Sequence, residues 1–341
     1  MREFVKRRPV LSFSLFIVVW TWIFMAVIIA LVPIDPVEGP QFVHVALVFF
    51  IASPSVFGFV FTRMVDGKAG VRVLLARAGR WRVKPIWYLA SVLLIPAVIG
   101  LSVLIRGAFG ESLAGLDVVA SLAFAVPIAL LAAVMEEFGW RGFMLPRLLE
   151  RHGALKAALI VGGVWALWHA PINYLGLSKY GWQAVPILFV LAILPIVQTV
   201  PMVWIHNNAK QSILMMVLTH FSITGGFIVF ALPVTTAAAE LRGDLITAGT
   251  LAFAAIVIVA VAGAKRLTRS KGLMAWQAGV RNVALTAGGS STIRSRRRMT
   301  TSSRRTCSRC RVDPIGSRSL FRHASPATGS GQILKSTSGT S

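Results

Sequence analysis

Apolar runs about as long as a bilayer is thick recur eight times in this 341-residue chain: roughly 11–32, 42–62, 86–105, 119–144, 155–175, 185–205, 211–232 and 245–264. A helix rises about 1.5 Å per residue, so about 20 apolar residues cross the hydrocarbon core. Lipid offers no water to the backbone amides, and only a helix satisfies them within one segment. A composition that is 56% hydrophobic, with a mean hydropathy of +0.73, excludes an ordinary soluble domain. The expected class is all-α, a polytopic membrane bundle of about eight transmembrane helices.

The charges between these windows set an orientation. Arg2, Lys6, Arg7 and Arg8 precede the first window, and the first connection holds Asp35 and Glu38 with no basic residue. The second connection carries Arg63, Lys68, Arg72, Arg77, Arg80, Arg82 and Lys84, and the fourth carries Arg147, Arg151 and Lys156. Connections three, five and seven have one basic residue each (Arg106, Lys179, Arg242), while Lys265 and Arg266 follow the last window. By the positive-inside rule this alternation places the N- and C-termini in the cytoplasm. The first run is long enough to span and lacks a small-residue cleavage site after it, so no cleavable signal is expected.

The chain divides into a transmembrane domain, 1–264, and a tail, 265–341. Of the net charge of +23, the tail holds +15, with Asp313 its single acid. Rich in Ser, Thr, Gly and Arg and without apolar periodicity, the tail is expected to be a disordered cytoplasmic segment. It can meet anionic headgroups or nucleic acid without specificity, so no specific nucleic-acid partner is expected. Cys307 and Cys310 form one C-x-x-C with no second pair beside it, which points to neither a zinc site nor structural disulfides.

Ionisable residues inside the windows are costly. A charge near mid-bilayer costs about 2.5–3.5 kcal/mol or more, so such residues face an interior cavity and serve a purpose. Glu136, Glu137 and Arg141 sit in the stretch AAVMEEFGWRGF, residues 132–143. Arg141 is four residues from Glu137, on the same helix face, and can neutralise it. Glu136 is rotated by about 100° and is left without that partner. His169 lies about midway along the fifth window and His220 about midway along the seventh. All three lie near half depth on separate helices.

A glutamate and two histidines at one level can activate water for attack on a carbonyl, as a general base with imidazole help or through a bound metal. Two imidazoles and a carboxylate with an open position also match a catalytic zinc set. The implied chemistry is hydrolysis within the membrane. A proton- or ion-coupled transporter can use the same residue types, although the two halves of the chain show no inverted repeat. A catalytically inactive scaffold, with the cluster serving only to lock helices, is the remaining alternative.

Three motifs carry a family resemblance: Glu136-Glu137-x-x-x-Arg141, Trp165-x-x-x-His169, and His220 followed four residues later by Thr224. Their order and placement on separate spans resemble the CPBP intramembrane proteases, the CAAX protease and bacteriocin-processing or Abi family, over about residues 85–232. The resemblance implies an eight-helix protease in a cell membrane, of a bacterial branch, cleaving a membrane-bound peptide that is prenylated or bacteriocin-like. It implies Glu136 as the catalytic glutamate, His169 and His220 as the rest of the water-activating or metal-binding set, and Glu137 with Arg141 as a supporting pair. The family's classification as metalloproteases implies a divalent metal, zinc, on Glu136, His169 and His220. Trp165 replaces the usual Phe, and Thr224 replaces the Asn proposed to steady the oxyanion; a hydroxyl also donates, with shorter reach.

Elsewhere, His206 is expected at the cytoplasmic edge of window six in a solvated or capping role, Asn173 one turn beyond His169 on the same cavity, and Pro127, Pro186, Pro195 and Pro201 as helix kinks. The charge pattern makes a topology prediction. A reporter enzyme active only outside the cytoplasm should work when inserted in connections one, three, five and seven and stay silent after residue 264. Activity after residue 264 would reverse the assignment.

Overall fold

Runs of apolar residues that must pair their own amides become helices, and the computed structural model, which describes residues 2–31 and 41–268, has no other regular element among them. A short α1 (Arg2–Arg7) leads into α2 (Pro9–Leu31), α3 (Gln41–Ala78) and α4 (Pro85–Ala108). Then α5 (Val118–Glu137) passes through a π-helical turn, Phe138–Met144, into α6 (Leu145–Leu149). The last four are α7 (Ala154–Leu177), α8 (Ala184–Asn208), α9 (Ile213–Val229) and α10 (Ala237–Ala262). Six segments are long and apolar enough to cross a membrane; one, Ala154–Asn208, contains both α7 and α8, and the apolar helix Ile213–Val229 is shorter. The protein is a multi-span membrane protein, and each of the eight apolar windows falls on one helical segment.

Two expectations shift in detail. The second connection is largely helical, because α3 runs on to Ala78 and breaks at Gly67, whose φ of 70° suits glycine. Beyond the break, Leu74 is buried against Ala133, Ile213 and Val217, while Asp66 beside the break pairs with Arg147. The tail begins later than residue 265. The carbonyls of Ala264 and Lys265 accept the amides of Leu155 and Ala154, which the start of α7 leaves without helical partners. Leu267 is fully buried. The rest of the tail, including Cys307 and Cys310, lies outside the described residues, as do Asp35 and Glu38.

Prolines inside spans free carbonyls that must find other donors. Pro171 removes the amide that would reach Leu167, and Trp22 Nε1 of α2 donates to that carbonyl instead at 2.8 Å. Pro54 does the same to Phe50, whose carbonyl accepts the Ser53 hydroxyl at 2.6 Å. Pro127, Pro195 and Pro201 lie inside α5 and α8. Pro186 lies in the first turn of α8, where a missing amide breaks no bond and no kink arises.

Small residues let these helices approach closely. A Cβ on Gly58 would lie 2.7 Å from Gly139 Cα, and one on Gly139 would overlap the Pro54 carbonyl. Backbone thus meets backbone where α3 crosses the π turn. Similarly, a Cβ on Gly162 of α7 would lie 2.5 Å from Ile196 Cα of α8, whereas one on Gly163 would meet nothing within 4 Å. Gly139→Ala should therefore cost about 1–3 kcal/mol by overpacking, and Gly163→Ala should be neutral or stabilising by up to about 1 kcal/mol. Thermal unfolding in detergent checks the pair, and equal midpoints would contradict the close crossing.

Candidate functional site

Every charged or imidazole group on the predicted level is carried by a helical segment. Glu136 and Glu137 end α5, and the next seven residues wind as a π-helix. Such wide turns redirect side chains relative to a continuous α-helix and recur at functional sites. Gly139 and Gly142 supply the space: a Cβ on Gly142 would lie 2.6 Å from the Leu74 side chain.

Arg141 reaches Glu137 as its spacing predicts, Nη1 donating to Oε1 at 2.8 Å with both side chains fully buried. The same Oε1 lies 2.8 Å from His220 Nδ1 of α9. Arg141 also donates to the Thr199 hydroxyl of α8 at 3.3 Å, and its guanidinium stands 4.5 Å over the Trp165 ring. Glu137 Oε2 and Arg141 Nε are buried without partners among the described residues.

Glu136 faces a different set. Its Oε2 accepts the indole N–H groups of Trp140, at 3.1 Å, and Trp165, at 2.9 Å. Its Oε1 lies 3.8 Å from His220 Nε2. That gap is too long for a direct hydrogen bond and short enough for one water to bridge. Because the Glu137 carboxylate accepts from His220 Nδ1–H, the Nε2 lone pair is left facing Glu136.

His169 is half-buried on α7 and turns Nδ1 to the Trp165 carbonyl at 3.0 Å. It does not touch Glu136. It is joined to the cluster through aromatic rings, with Trp165 packed against both His169 and His220 at centroid distances of 5.4 and 5.2 Å. Thr224, half-buried one turn after His220, has a hydroxyl with no partner among the described residues. Asn173 lines an apolar cavity of about 380 Å³ bounded by Trp22, Ala166, Ala170 and Leu188, whose lining includes neither Glu136 nor a histidine. His206 is fully buried, not solvated as expected, with Nε2 3.0 Å from Arg77 Nη2 and Nδ1 3.1 Å from Asn207 Oδ1.

The donors suit a divalent cation chemically: His169 and His220 each commit Nδ1 to an oxygen and keep Nε2 free, as metal-bound imidazoles do. Their placement does not complete the fit. Among the described residues no three His, Cys, Asp or Glu side chains converge at a spacing that would hold a metal ion.

Three features of the site carried fainter signals in the sequence. Trp140 was marked only by its i+4 spacing from Glu136, and the π turn only by Gly139, Gly142 and Pro146 crowded around Arg141. Thr199 had no signal beyond being a hydroxyl in an apolar helix. The buried ion pair makes its own prediction. Removing one partner of such a pair costs about 3–5 kcal/mol because a charge is left behind. Arg141→Met should lose that much in detergent unfolding, and Glu137→Gln/Arg141→Met should lose less than Arg141→Met alone.

The three motifs lie within a recognisable region. Residues 118–226 match the family described as Rce1-like, type II CAAX prenyl endopeptidase. A CAAX prenyl protease 2 of Methanococcus maripaludis is 33% identical over 143 residues, covering 38% of this chain and 52% of that protein. The chain thus aligns with about half the length of that archaeal relative.

Proposed function

We propose that this chain, whose residues 118–226 match the Rce1-like CAAX prenyl endopeptidase family, is an intramembrane endopeptidase in which Glu136 and His220 activate water. The 3.8 Å separation of Glu136 Oε1 and His220 Nε2 carries the reading. A water bridging the two donates one proton to each acceptor. Glu136, its other oxygen anchored by two indoles, takes a proton as the water oxygen adds to the scissile carbonyl carbon. The C–N bond then breaks, the proton held by Glu136 passes to the departing amine, and the remaining hydroxyl proton of the new carboxyl group passes to His220 Nε2, leaving a carboxylate and a free amino end.

The remaining residues support that step. Glu137 orients the His220 ring and is itself neutralised by Arg141, so the net charge buried around the water stays low. The unpartnered Thr224 hydroxyl is a donor for the developing oxyanion. His169, with Nδ1 held by the Trp165 carbonyl, offers Nε2 to the polypeptide or the leaving group. No step is routed through a metal, since the donors do not converge on one. The substrate is a membrane-associated peptide; the name of the archaeal relative favours a prenylated C-terminus over a bacteriocin-like peptide. The protein works as a multi-pass membrane enzyme with both ends of the chain in the cytoplasm.

A prenylated reporter peptide should be cleaved by purified protein in detergent. Glu136→Gln and His220→Gln should each lower kcat by about 10²–10⁴-fold, the range for a lost acid–base group, and leave a measurable residual rate. Wild-type turnover in Glu136→Gln would reject the proposal. Zinc has its own test. Metal-free protein that still cleaves fits this arrangement, and one zinc per chain that is lost on His169→Ala would restore the three-donor reading.

A further inference from the structure

Arg77 belongs to the cationic run between the second and third windows, where solvent or lipid headgroups would be its ordinary surroundings. It is instead 5% exposed, at the end of α3, beyond the Gly67 break. Its guanidinium donates from Nη1 to the Gly142 carbonyl at 2.9 Å, from Nη2 to the Arg141 carbonyl at 2.9 Å, and from Nε to the Gln211 carbonyl at 3.1 Å. The fourth contact is the His206 ring at 3.0 Å. A protonated guanidinium only donates, so His206 Nε2 accepts and its Nδ1–H turns to Asn207 Oδ1.

The Arg141 carbonyl on the π turn is one the sequence leaves short of a donor. In a π-helix a carbonyl pairs with the amide five residues on, as Trp140 does with Leu145. The π partner of Arg141 is therefore residue 146, whereas that of Gly142 is residue 147. Residue 146 is proline and has no N–H. Unpaired carbonyls in a fully buried turn are costly, and one planar fork carrying parallel donors suits two adjacent carbonyls better than a single ammonium would.

We infer that Arg77 is a positioning residue for the Glu136 site: its guanidinium replaces the amide that Pro146 lacks and so holds the π turn that sets the register of Glu136, Glu137 and Arg141. The inference deepens the protease reading and rests on it for its catalytic consequence. Arg77 itself touches none of Glu136, Glu137 or the water-facing nitrogen of His220. It acts through backbone, so its loss should disturb the chemical step more than substrate capture.

The test compares full-length wild type, Arg77→Met, Arg77→Lys and Glu136→Gln in detergent, by hydrogen exchange and by kinetics on the reporter peptide. With Arg77→Met, amides of residues 138–145 should exchange at least about tenfold faster, while those of α10 stay unchanged. Its kcat should fall on the order of 10–100-fold, the cost of a misplacement near 1 Å, with KM within about twofold. Arg77→Lys should fall between Arg77→Met and wild type in both readouts, and decides the matter if Arg77→Met shows no melting transition. Unchanged exchange in the π turn, or wild-type kcat with only KM altered, overturns the inference. Faster exchange in a chain whose wild type cleaves nothing overturns the protease reading and leaves the pinning role of Arg77 standing.

Discussion

One carboxylate oxygen ties the site together. Glu137 Oε1 accepts from Arg141 at 2.8 Å along its own helical segment and lies 2.8 Å from His220 on α9. Buried away from bulk solvent, none of these groups is stable alone: a lone carboxylate or guanidinium in such surroundings has no solvation to replace what it loses. Meeting at one atom, they fix the rotation of α9 against α5 and settle which imidazole nitrogen turns toward Glu136. The tautomer of His220, and with it the ability of Nε2 to take a proton, follows from that contact. Glu136 can keep a free oxygen because its neighbour absorbs the local positive charge.

The backbone around the site follows the same economy of donors. Three irregularities in the spans are matched by side-chain donors: Trp22 from α2 serves the carbonyl that Pro171 frees, Ser53 of the same helix serves the one that Pro54 frees, and Arg77 serves the Arg141 carbonyl that Pro146 leaves open. In water, solvent would meet these needs without direction. In a membrane each need selects a particular partner, so departures from regular helix become fixed contacts between helices. The π turn is the furthest departure, and it carries the Gly139 crossing on one side and the Glu136 and Glu137 side chains just before it.

Much of this architecture was legible in the chain. Length and apolarity alone placed all eight helical segments, because each window had to close its own hydrogen bonds. The i,i+4 relation of Glu137 and Arg141 and the shared depth of Glu136 and His220 were also readable, since helix geometry converts spacing into position. Rotation about each helix axis was not readable, and so the sequence did not show that Trp165 bonds Glu136 and packs against His169. Burial of Arg77 and His206 was hidden for a related reason: a cation at the end of a span looks interfacial until the break at Gly67 folds its segment inward. Indole donors escaped notice because tryptophan near a membrane reads first as an interfacial anchor, whereas Trp140 and Trp165 are buried.

The central claim is that Glu136 and His220, from different helices, act on one water. A double-mutant cycle on kcat tests it directly, using Glu136→Gln, His220→Gln and the combined variant on the same peptide. Residues that serve a single event are strongly non-additive, so the combined variant should be no slower than Glu136→Gln within about threefold. Losses that multiply, with the combined variant slower than either single change by the full product, would show two independent roles and contradict the shared water.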